Sequence, residues 1–264
     1  MTTTRTIVVT GAASGMGAAT KSRLVQDGHR VISVDLRDAD VTVDLGTAQG
    51  RNDAVGRVTE LADGSLDGLV TWAGIAGLTN VPGSLLASVN YFGSVALLTG
   101  LRPLLAAGDA PAAVAISSNS TTCQPGVAMN LVAHFLDGDE TAARAAADKV
   151  GSMATYPASK MAIAHWVRRN APTADWAGAG INLNAVAPGA IETPMLQATR
   201  DDPTIGKFID AFPVPIGRKG TADELAAFVT FLLGPDARFF CGSVLFCDGG
   251  TDALLRANDF PTSM

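Results

Sequence analysis

Short apolar, β-branched runs recur along this chain, separated by mixed segments that read as helices. Arg5 to Thr10 (RTIVVT) predicts a strand. A glycine-rich turn, Gly11 to Gly17, follows, and Ala18 to Gln26 predicts a helix ending near Gly28. His29 to Asp35 (HRVISVD) predicts a second buried strand and Val41-Thr42-Val43 a short third. Thr47 to Leu61 is weakly helical, Asp67 to Trp72 (DGLVTW) predicts a strand, and Pro82 to Ala107 a long helix. Ala112 to Ser118 (AAVAISS) and Ile181 to Ala187 (INLNAVA) predict strands on either side of a helix over Ser159 to Ala177. Thr221 to Leu233 predicts a helix opened by the capping-box pattern Thr221-Ala222-Asp223-Glu224, and Ser243 to Cys247 the last strand. The strands are continuous apolar runs rather than alternating ones. That pattern implies an α/β fold with a doubly wound parallel sheet covered on both faces.

Two regions break the rhythm. Residues 119–155 hold helical segments of their own, Val127 to Leu136 and the Ala-rich Glu140 to Val150. Met195 to Lys219 follows a Pro-Gly turn and sets Phe208, Ile209 and Phe212 among prolines. Long connections in compact domains tend to be functional. No repeat and no Pro/Ser linker divides the chain, so one domain over residues 1–264 is expected.

Composition changes this picture little. Of 264 residues 47% are apolar and 17% charged, which excludes disorder. The net charge of −6 and the scatter of Lys and Arg leave no basic stripe for nucleic acid. Gly68 to Leu101 carries no charge, but Gly74, Gly77, Asn80, Pro82, Gly83 and Asn90 interrupt it. It reads as a buried strand plus a buried helix rather than a membrane span. Cys123, Cys241 and Cys247 show no metal-ligand spacing, and their low, odd count favours a reducing compartment. Met1 to Arg5 leads straight into a strand without a signal-peptide core, so a cytoplasmic location is expected.

Candidate chemistry starts at Tyr156-Pro157-Ala158-Ser159-Lys160. On a helix, positions i and i+4 share a face, about 5–6 Å apart at Cβ. A neighbouring cation favours the phenolate, so the Tyr156 pKa is expected below its reference of about 10. Such a phenol can give or take a proton near neutral pH. Pro157 fits a helix start, where its missing N–H costs nothing. Thr10-Gly11-Ala12-Ala13-Ser14-Gly15-Met16-Gly17 lies between a strand and a helix, where glycines let backbone approach a pyrophosphate and the helix N-terminus attracts it. Asp35 ends the second strand eighteen positions after Gly17. An acid there accepts from the ribose hydroxyls and repels a 2′-phosphate, favouring NAD over NADP. Ser117 and Ser118 end a strand facing the ligand crevice of such sheets, and Asn90 is an amide inside an apolar helix that needs partners.

Together these residues resemble the short-chain dehydrogenase/reductase family over nearly the whole chain. The family's glycine loop TGxxxGxG stands at Thr10 to Gly17 and its YxxxK at Tyr156 to Lys160. Its active-site Ser matches Ser118, its helical Asn matches Asn90, and its PG turn with a following Thr matches Pro188-Gly189-Ala190-Ile191-Glu192-Thr193. The resemblance implies a Rossmann-like fold. It implies Tyr156 as the general acid or base and Lys160 as the group that tunes it and binds the nicotinamide ribose. Ser118 would bond the substrate oxygen, and Asn90 would hold a relay water. Gly11, Ser14, Gly15, Met16 and Gly17 would bind the pyrophosphate, Asp35 the ribose, Asp44 and Leu45 the adenine side, and Ala73, Gly74 and Ile75 the adenosine ribose side. Pro188, Gly189, Ile191 and Thr193 would bind the nicotinamide end. No metal is implied, and His29, His134 and His165 have no ligand spacing.

There are departures. Where the family has Asn-Asn-Ala-Gly, this chain has Thr71-Trp72-Ala73-Gly74, so support of the central strand must come from elsewhere. Ser118 and Tyr156 are 38 positions apart, far more than the family's usual spacing. That helical insertion, with Asp35-Leu36-Arg37-Asp38-Ala39, Ser88-Val89-Asn90-Tyr91-Phe92-Gly93 and Asp248-Gly249-Gly250-Thr251-Asp252-Ala253, resembles the bacterial 3α-hydroxysteroid dehydrogenase/carbonyl reductase subgroup. In that subgroup the insertion covers the face that relatives use to tetramerise. The resemblance therefore implies a homodimer through Thr221–Leu233 and Ser243–Cys247. It also implies a substrate lid over 194–219, with Met195, Leu196, Phe208 and Phe212 either core or pocket wall.

The expectation is an NAD(H)-dependent oxidoreductase for a small hydrophobic ketone or alcohol, a 3α-hydroxysteroid first and another apolar ring alcohol such as a terpenoid second. A non-catalytic nucleotide sensor on the same fold is the alternative from another class. Cys241 and Cys247 are expected to be buried thiols, and Trp166 and Trp176 packing residues.

Overall fold

The computed structural model describes residues 4–209 and 211–259, so the ends of the expected 1–264 span and residue 210 of the expected lid lie outside the described residues. Among these the strands are β1 (Thr6–Thr10), β2 (Arg30–Asp35), β3 (Val41–Thr42), β4 (Gly68–Thr71), β5 (Ala112–Ile116), β6 (Asn182–Pro188), β7 (Ile191–Glu192), β8 (Gly220–Thr221) and β9 (Val244–Cys247). Seven of them form one sheet in the order β3-β2-β1-β4-β5-β6-β9. Every neighbouring pair is parallel. The strand order reverses between β1 and β4, and in such sheets the crevice beyond the strands' carboxyl ends at that switch point binds ligands. β7 and β8 pair separately.

The helices are α1 (Gly15–Gln26), α2 (Ala48–Leu61), α3 (Gly83–Ala106), α4 (Ser120–Cys123), α5 (Met129–Leu136), α6 (Glu140–Val150), α7 (Ser152–Asn170), α8 (Pro194–Asp201), α9 (Gly206–Ile209), α10 (Ala222–Leu233) and α11 (Thr251–Leu255). Alternate strand residues feed two cores. Ile7 and Val9 meet Leu24, Leu225, Val229 and Leu232 on one face, and Val8 meets Leu97, Leu101, Ile163 and Phe135 on the other. Both faces are covered, which is why the strands are apolar throughout. α3 is long and apolar enough to cross a membrane. Its Leu86, Leu97, Leu98, Leu101 and Leu105 are fully buried in this protein, each side chain contributing about 1.5–3 kcal/mol.

Three expectations about helices need correction. The Tyr156 helix starts at Ser152, not Ser159, and ends at Asn170, not Ala177. Pro157 therefore lies inside the helix, where it supplies no N–H to the Met153 carbonyl four residues back. The Gln124 side chain donates to that carbonyl instead, at 3.3 Å. At the other end the chain turns at Ala171 and forms only a short 3₁₀ segment, Ala177–Ala179. The long helix α3 is interrupted by a π-helical turn, Ala87–Gly93, with Asn90 at its middle. Such turns are frequent at functional sites. The capping box at Thr221 and Glu224 is present.

The insertion packs as α5 and α6. Phe135 sits 4.9 Å from Tyr91, ring to ring, and 5.9 Å from Phe92. Glu140 pairs with the buried Arg51 of α2 at 2.5 Å and accepts from Ser88 at 2.7 Å. Trp166 and Trp176 pack edge to face at 5.7 Å. Cys241, expected to be buried, is exposed, and Cys247 is half-buried on an edge strand.

Candidate active site

At the carboxyl end of β1 the chain turns sharply into α1. Gly11 has φ +65°, and a Cβ there would lie 2.8 Å from the Ala73 nitrogen. A Cβ on Gly17 would lie 2.0 Å from the Gly11 oxygen. Only glycine allows this turn and this approach. Thr10 Oγ1 accepts from the Ala73 N–H at 3.0 Å and ties the loop to the end of β4. Asp35 Oδ2 accepts from the Ala13 N–H at 2.9 Å, and Oδ1 from Leu36 at 2.7 Å. Ser14, the N-cap of α1, is extended and makes no side-chain cap bond. The first-turn amides of Gly15, Met16 and Gly17 thus keep the helix's positive end free for an anion, as a dinucleotide pyrophosphate requires. Beyond β3, Asp44 is exposed, and its Oδ1 accepts from Gly46 at 2.8 Å. Leu45 is buried, and its carbonyl accepts from Arg51 at 3.3 Å.

The missing Asn pair is replaced by a different link. Trp72 Nε1 donates to Thr20 Oγ1 at 2.9 Å, and Thr20 donates to the Met16 carbonyl at 2.8 Å. This chain joins the end of β4 to the glycine loop through α1. The Thr71 hydroxyl, by contrast, is buried with no hydrogen-bond partner. Thr20 was not singled out from the sequence. A Thr one turn into a helix carries no signal until the indole above it is seen.

β5 and α7 bring Ser118, Tyr156 and Lys160 together. Ser117 Oγ donates to the Lys160 carbonyl at 2.9 Å and locks strand to helix. Lys160 Nζ donates to the Ile116 carbonyl at 3.1 Å and lies 5.9 Å from the Tyr156 ring centre. The Ser118 hydroxyl acts on the Tyr156 phenol from across the site. Burial pushes the Tyr156 pKa up, and the Ser118 hydroxyl pulls it partly back. This corrects the lowered value expected from Lys160: desolvation of the phenolate is the largest influence on the phenol. Burial also pushes Lys160 down to about 8. Near neutral pH the site therefore holds a protonated phenol beside an ammonium close to its titration point.

Asn90 reaches this group through the backbone. Its Oδ1 accepts from the Ile75 N–H at 2.8 Å, and its Nδ2 donates to the Ile75 carbonyl at 3.0 Å. A Cβ on Gly74 would lie 3.1 Å from Asn90 Oδ1 and 3.6 Å from Lys160 Nζ, so the three meet at one point.

A cavity of about 650 Å³ opens at this point. Met16, Gly74, Ser118, Tyr156, Lys160, Pro188, Gly189, Ile191 and Thr193 line it. Gly11, Ser14, Gly15, Gly17, Asp35, Asp44, Leu45, Ala73 and Asn90 do not line it. Met195, Leu196, Phe208 and Phe212 are pocket wall rather than core, joined by Cys123 and by Met153 and Ile205, the last two not singled out from the sequence. Thr193 Oγ1 caps α8 by accepting from Leu196 at 3.3 Å and donates to the Ile191 carbonyl at 3.2 Å. The β7–β8 pair closes the base of the 194–219 segment. Among the described residues no three His, Cys, Asp or Glu side chains gather to hold a metal ion.

Residues 5–130 match the family model described as short chain dehydrogenase, and residues 140–252 the one described as enoyl-(acyl carrier protein) reductase. The chain is 40% identical to 3-alpha-hydroxysteroid dehydrogenase/carbonyl reductase from Comamonas testosteroni, over 96% of this chain and 99% of that one. It is 28% identical to levodione reductase from Leifsonia aquatica over 95% of each. The crystal structure of 3-alpha-hydroxysteroid dehydrogenase from Pseudomonas sp. B-0831 complexed with NADH superimposes with a TM-score of 0.93 at 47% identity, covering 97% of this chain and 100% of that one. With its sheet order, its glycine turn, its Ser118–Tyr156–Lys160 group and relatives aligned over almost its full length, the chain belongs to the short-chain dehydrogenase family.

Proposed function

We propose that this oxidoreductase uses NAD(H) to interconvert a hydrophobic secondary alcohol and its ketone, with a 3α-hydroxysteroid and its 3-oxo form as first substrate. One observation carries the reading. Ser118, Tyr156 and Lys160 lie at one cavity with an apolar wall, beside a helix N-terminus whose N-cap side chain makes no cap bond. A cavity of about 300–1,000 Å³ suits a drug-sized apolar ligand. The Comamonas and Pseudomonas relatives, both named for 3-alpha-hydroxysteroids, support the steroid. A levodione reductase among the relatives favours testing ketones beyond steroids, which is the second reading.

Bound nicotinamide supplies the hydride that adds to the carbonyl carbon. The chain's part is to bind, orient and move a proton. Ser118 donates a hydrogen bond to the substrate oxygen, and Tyr156 gives that oxygen its phenolic proton in reduction, or takes it back in oxidation. The pKa raised by burial keeps Tyr156 protonated and ready to donate. The Lys160 ammonium steadies the transient phenolate and binds the nicotinamide ribose. Asn90 fixes the 74–75 backbone and orders a water beyond it. Gly11, Ser14, Gly15, Met16 and Gly17 hold the pyrophosphate, and Asp35 the adenosine ribose. Asp44, Leu45, Ala73 and Gly74 flank the adenosine, while Pro188, Gly189, Ile191 and Thr193 flank the nicotinamide. The four-residue Tyr156–Lys160 spacing supports the dehydrogenase role over that of an enoyl reductase.

Residues 194–219 act as the substrate lid. The chain forms a homodimer through α10 and β9, a reading supported by the edge position of β9 and the exposure of Phe231. Three free cysteines support a reducing, cytoplasmic setting. NADH oxidation with a panel of steroid and terpenoid ketones tests the function. The highest kcat/KM should fall on a 3-oxosteroid, and failure with every apolar ketone would overturn the reading. A tetramer in sedimentation would contradict the dimer.

A further inference from the structure

The 74–79 segment is a strap that leaves the end of β4 and runs past the site. Asn90 holds Ile75 at both its N–H and its C=O. A Cβ on Gly77 would lie 2.8 Å from the Ser152 carbonyl and 2.9 Å from Tyr156 Cβ, so the strap lies flat on the first turns of α7. The Ser152 hydroxyl donates to the Leu78 carbonyl. Held at these points, the strap presents Thr79. The Thr79 N–H and hydroxyl both donate to Asp202 Oδ2, at 2.9 and 2.7 Å.

Asp202 lies at the far end of α8, in the lid, and is buried although it carries a charge. Its second oxygen, Oδ1, accepts from the Thr204 N–H at 2.9 Å and the Ile205 N–H at 3.2 Å, at the entry to α9. The Thr79 bonds are the main cause that holds its carboxyl down at about 2. One carboxylate thus joins the strap to the lid turn that carries Ile205 and Phe208 into the cavity wall. Neither Asp202 nor Thr79 lines the cavity. Among the described residues the lid has further attachments. Arg200 pairs with Glu192, and Thr251 donates to the Pro213 carbonyl at 2.8 Å.

We propose that Asp202 and Thr79 form a latch that holds the lid wall against bound substrate, and that this latch sets the preference for bulky over small ketones. The specificity half of the proposal rests on the ketone-reductase reading above; the latch itself does not. A small ketone held by Ser118 and Tyr156 does not extend to Ile205 and Phe208, whereas a polycyclic one presses on them. Asp202 is accordingly a positioning residue, acting through the lid and not on the reacting atoms.

The test compares wild type with Asp202→Asn, which turns one acceptor into a donor facing either the Thr79 N–H or the Thr204 and Ile205 N–H groups, and with the milder Thr79→Val and Thr79→Ser. For a bulky 3-oxosteroid, Asp202→Asn and Thr79→Val should each lower kcat/KM at least tenfold, mostly through KM. For cyclohexanone the change should stay within twofold, and NADH affinity should not move. Thr79→Ser should restore the steroid value, and the double variant Asp202→Asn/Thr79→Val should be no worse than the poorer single one. Independently of activity, labelling of Cys123 by N-phenylmaleimide, resolved by mass spectrometry against exposed Cys241, should speed up at least fivefold when the latch is cut. Equal losses on both ketones, additive losses in the double variant, or an unchanged Cys123 rate would overturn the latch. If wild type reduces neither ketone, the functional reading fails, and the Cys123 rates still decide whether the latch exists.

Discussion

Asn90 grips the peptide of Ile75 from both sides, accepting from its N–H at 2.8 Å and donating to its carbonyl at 3.0 Å. The amide has no exposure to solvent, and the π-helical turn around it carries it to Ile75. Asn90→Ala should leave two backbone groups unpaired, at about 1–3 kcal/mol each. We expect a clear fall in Tm together with at least a tenfold fall in kcat, because the strap beside Tyr156 and Lys160 loses its anchor. A variant with unchanged kcat would show that Ile75 needs no anchor.

Lys160 gives the fold a pH signature. Burial takes it from 10.5 to about 8. Between those values the unfolded chain keeps a proton that native Lys160 has released, so its contribution to stability rises with pH. Tyr156 and Tyr91 act the other way, since burial raises both and the unfolded phenols ionise first, above about pH 10. Lys160→Met removes the buried ammonium. Its Tm advantage over wild type, measured without cofactor, should be greatest near pH 7 and shrink towards pH 9.5. A constant difference would contradict the lowered pKa.

Asp35 carries the cofactor preference. Its Oδ2 steadies the glycine loop at Ala13, and its negative charge opposes a 2′-phosphate. Asp35→Ser should lower the NADH-to-NADPH ratio of kcat/KM at least tenfold, measured with one ketone held saturating. An unchanged ratio would move the discrimination to another residue.

Trp72 stands where the family motif Asn-Asn-Ala-Gly would place Asn. Trp72→Phe keeps the ring but loses the bond to Thr20, at about 1 kcal/mol. We expect a KM for NADH several-fold higher, since Thr20 also holds the Met16 carbonyl, with kcat little changed. Thermal melts show whether the loss is local.

Much of this was legible in the sequence because it was local. The apolar runs of β1, β4 and β5 followed from burial on both faces, and the turn at Gly11 to Gly17 from the need for glycine at close contacts. What was not legible depends on partners distant in sequence. The start of α7 was misread because Pro157 breaks the helical ladder, and the repair comes from Gln124 in the insertion. The π-turn at Asn90 has no period of its own in the apolar pattern. The direction of the Tyr156 shift was misjudged because i, i+4 spacing shows the cation but not the burial of the phenol. Asp202 drew no notice, since only the fold brings it to Thr79.

In the proposed reaction Tyr156 passes a proton to the oxygen of an apolar ketone while NADH is consumed. The most direct measurement is the kcat for NADH oxidation with a 3-oxosteroid in wild type and Tyr156→Phe, alongside NADH binding by fluorescence. We expect a fall of about 10²–10⁴-fold in kcat with NADH binding intact. A Tyr156→Phe enzyme that turns over at the wild-type rate would contradict it.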